Sequence, residues 1–443
     1  MEIRRDSGAR PLNLGLAGFG TVGRGLARIL DENRDNLKLR SERPIRIRSI
    51  LVRDPARARA CPFPPQAKIC ADMDDLIRDP DIEVVVELMG GLEEAGRLIR
   101  GALEAGKHVV TANKALLAEE GGELFRLAAR RGLHLGYEAS VCGAIPIVQT
   151  LREGLSANRI LTLFGILNGT SNYILSAMTS TGMSFDLALR QAQELGFAEA
   201  DPSMDTEGLD AAHKLTLLIR LAWGVDYPFS LLPVEGISRT APEDIGFARE
   251  FGYNIKLLGY ARLEAENSRG RPRLEAGVFP TLVPRNYLLA SVGDSYNAVR
   301  VEGNAAGSVF LHGRGAGSLP SGSAVAADIL QIARGARPNN LGYVLPELPQ
   351  AEILPPQETS ASYYMRLTVL DRPGVLRDVA AVLAGNDISI AQAIQRGQKD
   401  VVPLVIMTHA TTPVNAARAL AQVKATGVLF ADPVCYRVMP PSA

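Results

Sequence analysis

Residues 12–23 of this 443-residue chain read LNLGLAGFGTVG, an apolar run that passes straight into three glycines spaced G-x-G-x-x-G. The run has strand length, and the helical pattern VGRGLARIL follows it, so the pair opens a βα unit. In that context Gly18 permits the tight turn, Gly20 lets a pyrophosphate approach the backbone, and Gly23 lets helix pack close on strand. The N–H groups at the helix start would then face the anion. By itself the spacing marks only a turn. Three more strand-like runs follow, however: RIRSILV (46–52), EVVVEL (83–88) and HVVT (108–111), each separated by helical segments. Strands alternating with helices predict right-handed crossovers, a parallel sheet and a dinucleotide site beside the strands' carboxyl ends.

The length calls for two or three domains. An α/β dinucleotide-binding domain is expected over 1–138, completed by about 313–340. An α+β catalytic and dimerisation domain is expected over 139–312, where strand-like runs such as RILTLFGIL (159–167) mix with amphipathic helices. Residues 343–361 hold four prolines and little periodicity, as a linker would. The last stretch, 362–443, has the pattern strand, helix, strand, strand, helix, strand, which is the ferredoxin-like βαββαβ order. Lys+Arg and Asp+Glu are both 48, a balance that argues against nucleic acid or an anionic membrane surface as partner. Cys61, Cys70, Cys142 and Cys435 are scattered without zinc or disulfide-framework spacing, and no apolar run approaches membrane-spanning length. A soluble cytoplasmic enzyme is the expectation.

Three stretches carry candidate chemistry. The second strand ends in Val52-Arg53-Asp54, with Arg57 and Arg59 close behind. An acid there favours the free ribose diol of NAD, whereas an arginine accommodates the 2′-phosphate of NADP; the arginines tilt the expectation to NADP, with NAD open. Lys114 sits just past a strand at the start of a helix, where the dipole disfavours a cation unless an anion is bound nearby. Between Glu199 and Lys214 lie five carboxylates, Glu199, Asp201, Asp205, Glu207 and Asp210. Helical spacing puts Asp210 and Lys214 on one stripe with Leu217, Leu218 and Leu221, leaving Thr216 and Arg220 on a wetter face. A lysine held among leucines and orientated by an aspartate suits proton donation to an oxygen developing negative charge. Two glycine-rich pieces, Asn168-Gly-Thr-Ser-Asn172 and Gly313-Arg-Gly-Ala-Gly317, suggest turns and helix starts.

Taken in order, GFGTVG, TANKALLA, EASVCGAIPIV, GILNGTSNYIL, GFAEADPSMDTEGLDAAHK and GRGAG resemble homoserine dehydrogenases over residues 12–335. The closing module, with Leu370-Asp-Arg-Pro-Gly-Val-Leu376, resembles an ACT domain. The resemblance implies NAD(P)-dependent interconversion of L-homoserine and L-aspartate 4-semialdehyde. It makes Lys214 the proton donor, gives Glu199 and Asp210 the substrate's amino group, and sets Lys114 against cofactor and substrate. Phe19, Thr21, Val22 and Gly317 would touch the dinucleotide, with Gly196 near the nicotinamide. A sodium ion would sit on carbonyls of Glu138, Val141, Gly143 and Ile145. Phe197 stands where some relatives have tyrosine. The resemblance further implies a homodimer or higher oligomer, and threonine as the favoured effector of the ACT module, with isoleucine or no ligand open; truncation after about residue 350 would remove a threonine response while leaving catalysis largely intact. The competing readings are a non-catalytic amino-acid sensor with a structural Rossmann unit, and another amino-acid dehydrogenase such as an aspartate dehydrogenase.

Overall fold

A computed structural model of the chain describes residues 10–54 apart from 42, then 64–266, 272–344, 347–397 and 400–440. In chain order the elements used below are β1 (Leu12–Ala17), α1 (Thr21–Glu32), β2 (Ile45–Leu51), β3 (Lys68–Cys70), β4 (Val84–Glu87), α2 (Glu93–Glu104), β5 (His108–Thr111), α3 (Lys114–Glu119) and β6 (Leu135–Gly136). There follow β7 (Ile160–Ile166), α4 (Gly169–Thr181), α5 (Leu209–Trp223), α6 (Pro242–Glu250), β8 (Tyr253–Glu266), β9 (Pro272–Pro284), β10 (Tyr296–Gly303), β11 (Gly307–Arg314) and α7 (Ser318–Ala333). The chain ends with β12 (Glu352–Ile353), β13 (Ser362–Leu370), α8 (Val375–Gly385), β14 (Ile390–Gln395), β15 (Val401–Thr408), α9 (Pro413–Ala425) and β16 (Val434–Val438). Two compact units result. One comprises Met1–Leu163, Ala212–Leu232 and Asn297–Ala351; the other comprises Phe164–Ala211, Pro233–Tyr296 and Glu352–Ala443.

The first unit is built on a six-stranded sheet ordered β3-β2-β1-β4-β5-β6, with every neighbouring pair parallel. The four strands expected from the sequence are all present within a residue or two. Their apolar runs are continuous because both faces are covered by helices. Leu14, Leu16, Val84, Val86 and Val110 form the core, and Val325 and Ile329 of α7 pack into it. From β1 the chain runs outward to β2 and β3 on one side and then crosses back to β4 on the other side of β1. This is the switch point at which such folds bind dinucleotides.

In the second unit β8 and β9 form a long antiparallel pair, and β16 adds to β9 in parallel through Arg437 beside Thr281 and Val438 beside Leu282. Beyond β16 come β13, β15 and β14, so the closing βαββαβ module has the ferredoxin-like strand order and extends a sheet it shares with β8 and β9. Its helices bury Val379, Leu383, Ala419 and Val423 against Met365, Leu367 and Val369 of β13. The alternate residues of β13 point the other way. Tyr364 Oη donates to Asp244 of α6 at 2.9 Å, and Arg366 grips the same carboxylate at 2.6 and 3.0 Å. Asp244 is fully buried.

The proline-rich 343–361 stretch is also tied down. Tyr343 Oη donates to Leu221 O, and Ala351 N donates to Asp226 O. Beyond these, β12 pairs with β9, and Arg273 bridges Glu352 and Glu358 at 2.8 and 2.7 Å. Prolines end helices, but they do not prevent the residues between them from pairing with a free strand edge.

Candidate active site

At the β1–α1 junction the three glycines serve three different needs. Gly18 has φ +99°, and a Cβ there would lie 2.7 Å from Leu88 O; a Cβ on Gly23 would lie 2.5 Å from Gly18 O. Both substitutions are closed by backbone. A Cβ on Gly20, by contrast, would meet nothing within 4 Å, so the space the pyrophosphate needs is open. Phe19 is buried in the sheet core, while Gly20 and Thr21 are exposed. Gly317, with φ +130°, immediately precedes α7, and Ser318 Oγ donates to Thr21 O at 2.7 Å. That bond brings the start of α7 to the start of α1, so Gly317, Thr21 and Val22 lie together at one edge of the first unit. Arg53 is exposed two residues beyond β2; Arg57 and Arg59 lie outside the described residues. Gly20→Val is expected to fold normally and to weaken dinucleotide binding at least about tenfold by blocking backbone approach. Unchanged affinity in a fluorescence titration would place the dinucleotide elsewhere.

Lys114 opens α3 directly after β5, as expected. Asn113 caps this helix by accepting from Leu116 N at 3.2 Å, and its amide donates to Gly91 O at 2.6 Å. Glu87, at the end of β4, is fully buried and accepts from Met89 N, Gly90 N and Thr111 Oγ1. This carboxylate shapes the loop after β4 and was not singled out by sequence.

One correction concerns α5. Thr216 and Arg220 do not take a wet face: Asp210 to Gly224 is buried throughout, Arg220 being only 3% exposed. Arg220 donates to Leu117 O and to Ala118 O at the end of α3 and pairs with Asp226 at 2.7 Å. A buried guanidinium thus satisfies carbonyls that the short helix α3 leaves without partners. Thr216 Oγ1 donates back to Ala212 O, which removes its hydroxyl's need for water. The effect is to clamp the helix headed by Lys114 onto the helix carrying Lys214. His213 stacks on Phe229 with ring centroids 4.4 Å apart.

In the second unit Asn168 does more than the turn chemistry suggested by its motif. Its Oδ1 accepts from Ser171 N, capping α4, while its Nδ2 donates to Asp205 at 2.6 Å and to Asp210 at 2.8 Å. One amide nitrogen therefore holds two of the five carboxylates, and both Asn168 and Asp210 are buried. Glu199 and Gly196 are exposed on the loop that follows a helix at Phe185–Glu194, and Asp201 accepts from Ser203 N at 3.1 Å as a solvated cap. Phe197 is exposed, with its ring 4.9 Å from Tyr173. Lys214, 8% exposed, lies one turn beyond Asp210 on α5.

Comparison with known proteins places this arrangement. Residues 18–138 match the NAD-binding domain of homoserine dehydrogenase, residues 146–330 match homoserine dehydrogenase itself, and residues 363–428 match the ACT domain. The chain belongs to the homoserine dehydrogenase family. The homoserine dehydrogenase of Neisseria gonorrhoeae is 43% identical over 94% of this chain and 96% of its own. A homoserine dehydrogenase structure from Thiobacillus denitrificans superposes with TM-score 0.91 and 42% identity, covering 97% of this chain and 99% of that one. A hyperthermophilic archaeal homoserine dehydrogenase in complex with NADPH matches at TM-score 0.61 and 25% identity over 74% of this chain and all of its own. The chain is accordingly an oxidoreductase with a nicotinamide cofactor and an amino-acid-sensing type of C-terminal module. Membership in the homoserine dehydrogenase family disfavours both the non-catalytic sensor and the aspartate dehydrogenase readings.

The family's EASVCGAI motif follows β6. Cys142 and Gly143 are both left-handed, with φ +56° and +51°, and a Cβ on Gly143 would lie 2.5 Å from Gly315 O. The Glu138 side chain turns away from this bend to cap the next helix, accepting from Val148 N and Gln149 N at 2.9 Å. Glu138 N in turn donates to buried Asp328 at 2.9 Å. Burial, reinforced by the charge of Asp328, pushes the Glu138 carboxyl up to about 7, and burial pushes Asp328 up to about 6. Among the described residues no helix is long and apolar enough to cross a membrane.

Proposed function

We propose that the chain interconverts L-homoserine and L-aspartate 4-semialdehyde with NADP as the preferred dinucleotide. The observation that carries this reading is the placement of Asp210 and Lys214 one turn apart on a buried helix, with Asp210 held by Asn168, in a chain whose glycine loop leaves Gly20 open. A nicotinamide dinucleotide held at the Gly18-Gly20-Gly23 turn would supply the hydride for reduction of the aldehyde. Lys214 donates a proton from its ammonium to the aldehyde oxygen, so that a C–H and an O–H bond form as the carbonyl π bond is lost. Glu199 and Asp210 receive the substrate's ammonium, and Lys114 bears on cofactor and substrate. Phe19, Val22 and Gly196 contribute to the dinucleotide surface.

A sodium ion suits the carbonyls of Glu138, Val141, Gly143 and Ile145. Hard cations take backbone oxygen, and two successive left-handed residues bend this buried stretch while the Glu138 carboxylate is engaged elsewhere. When bound, the ion would fix that loop. A homodimer through the second unit, a cytoplasmic location and threonine regulation through the ACT module complete the proposal. Purified protein with homoserine and each of NAD and NADP tests it: homoserine-dependent reduction of the dinucleotide is expected, and no turnover with either would overturn it. Arg53→Ala should weaken NADP more than NAD, since only NADP offers a 2′-phosphate to that side chain. Equal losses for both would show that Arg53 does not read the phosphate.

A further inference from the structure

A circuit of hydrogen bonds joins the ends of β4 and β5. Glu87, the last residue of β4, is fully buried. Its Oε1 accepts from Met89 N at 2.8 Å and from Gly90 N at 3.0 Å, and its Oε2 accepts from the Thr111 hydroxyl at 2.5 Å. Thr111 Oγ1 in turn accepts from Asn113 N at 2.9 Å, and the Asn113 amide closes the circuit by donating to Gly91 O at 2.6 Å. Thr111 and Asn113 are buried as well. Lys114 follows directly, so the circuit that shapes residues 89–91 also fixes the start of the helix Lys114 opens.

A carboxylate out of water costs free energy unless its oxygens are hydrogen-bonded. The three partners of Glu87 are neutral donors, and its two oxygens hold two successive amides and a hydroxyl in fixed directions, which an apolar residue could not do. The loop so ordered stands at the switch point of the sheet. Ala17 of β1 lies beside Glu87 of β4, and a Cβ on Gly18 would lie 2.7 Å from Leu88 O. The glycine turn and the loop after β4 are therefore adjacent walls of one crevice. Gly90 and Gly91 are exposed, with φ +73° and +78°, and a Cβ on either would meet nothing within 4 Å. Two left-handed glycines leave bare backbone beside open space, where a flat ring can approach closely.

We propose that Glu87 is a positioning residue: it fixes the backbone of Met89, Gly90 and Gly91 as the surface for the nicotinamide ring and, through Thr111 and Asn113, holds Lys114 at the adjoining helix start. This role rests on the dinucleotide reading of the glycine turn and extends it. Being fully buried, Glu87 touches neither cofactor nor substrate and acts through the groups it holds. Hydride transfer depends steeply on placement, and a displacement of about 1 Å can cost about 10²-fold in rate.

The test uses the full-length protein and four variants, Glu87→Ala, Glu87→Gln, Thr111→Val and Thr111→Ser. Two quantities are read: kcat with homoserine and NADP, and the emission of bound NADPH, whose dihydronicotinamide fluoresces differently when its ring is held. Glu87→Ala and Thr111→Val should lower kcat about 10–100-fold and return the emission toward that of free NADPH, while dinucleotide affinity, set at Gly20, changes less than about threefold. Glu87→Gln keeps an acceptor for the two amides and Thr111→Ser keeps the hydroxyl, so each should recover most of the loss. If Glu87→Ala fails to fold, the Thr111 pair decides. A lowered melting temperature with kcat and emission unchanged would reduce Glu87 to a structural residue and overturn its positioning role. A loss that neither Gln nor Ser recovers would overturn it too. A wild type that turns over no homoserine but shows the emission pattern would overturn the substrate reading and leave the role of Glu87 standing.

Discussion

Lys214→Ala is expected to lower kcat by about 10²–10⁴-fold, the usual worth of a positioned general acid, with little change in dinucleotide affinity. The helix that carries Lys214 is buried on all sides from Asp210 onward, so the amine is held away from bulk water. Its backbone position is set by Arg220, which ties α5 to the end of α3. Water entering the space left by alanine would lack both the positive charge and the fixed direction. Lys214→Arg should not restore the rate, because a guanidinium gives up a proton far less readily than an ammonium. Steady-state kinetics in homoserine, with a separate titration of the dinucleotide, distinguish the roles. A rise in KM with kcat unchanged would make Lys214 a residue of uniform binding and not a proton donor.

Truncation after residue 350 is expected to destabilise the remaining chain severely, contrary to what the proline-rich linker suggested. Removing the module takes away β16, which pairs with β9, and β12, which pairs with the same strand. It also removes Arg366 and Tyr364 from the fully buried Asp244. Stranding a buried carboxylate in this way costs about 3–5 kcal/mol, a large share of a typical stability of about 5–15 kcal/mol. A newly exposed strand edge adds a liability to aggregate. The 1–350 fragment should therefore be insoluble or melt roughly 10 °C lower. Asp244→Asn should recover part of the loss in the fragment while destabilising the full-length chain. A fragment with the melting temperature and kcat of the intact enzyme would show that the module is merely appended.

The parts legible in the sequence are those whose physics is local. The strand LNLGLA, the glycine spacing of 18–23 and the alternation of strands and helices each depend on neighbours within one supersecondary unit, and the parallel sheet follows. The βαββαβ order of 362–443 was legible for the same reason, as was the place of Lys114 just beyond β5. Periodicity failed on α5, because it assumes that a charged residue seeks water. Arg220 instead meets the carbonyls of Leu117 and Ala118, a hundred residues away, and is satisfied in the interior. Asn168 looked like a helix cap and is one, but its second role needs Asp205 and Asp210 to arrive 37 and 42 residues later in the chain. The sequence by itself determined the elements, the dinucleotide-binding turn and the family. Only the tertiary structure decided that the last strand pairs with β9, that Asp244 is neutralised by Arg366, and that Glu87 joins the ends of β4 and β5. Each of these depends on which residue lies across a strand edge or a buried interface, and no local pattern carries that information.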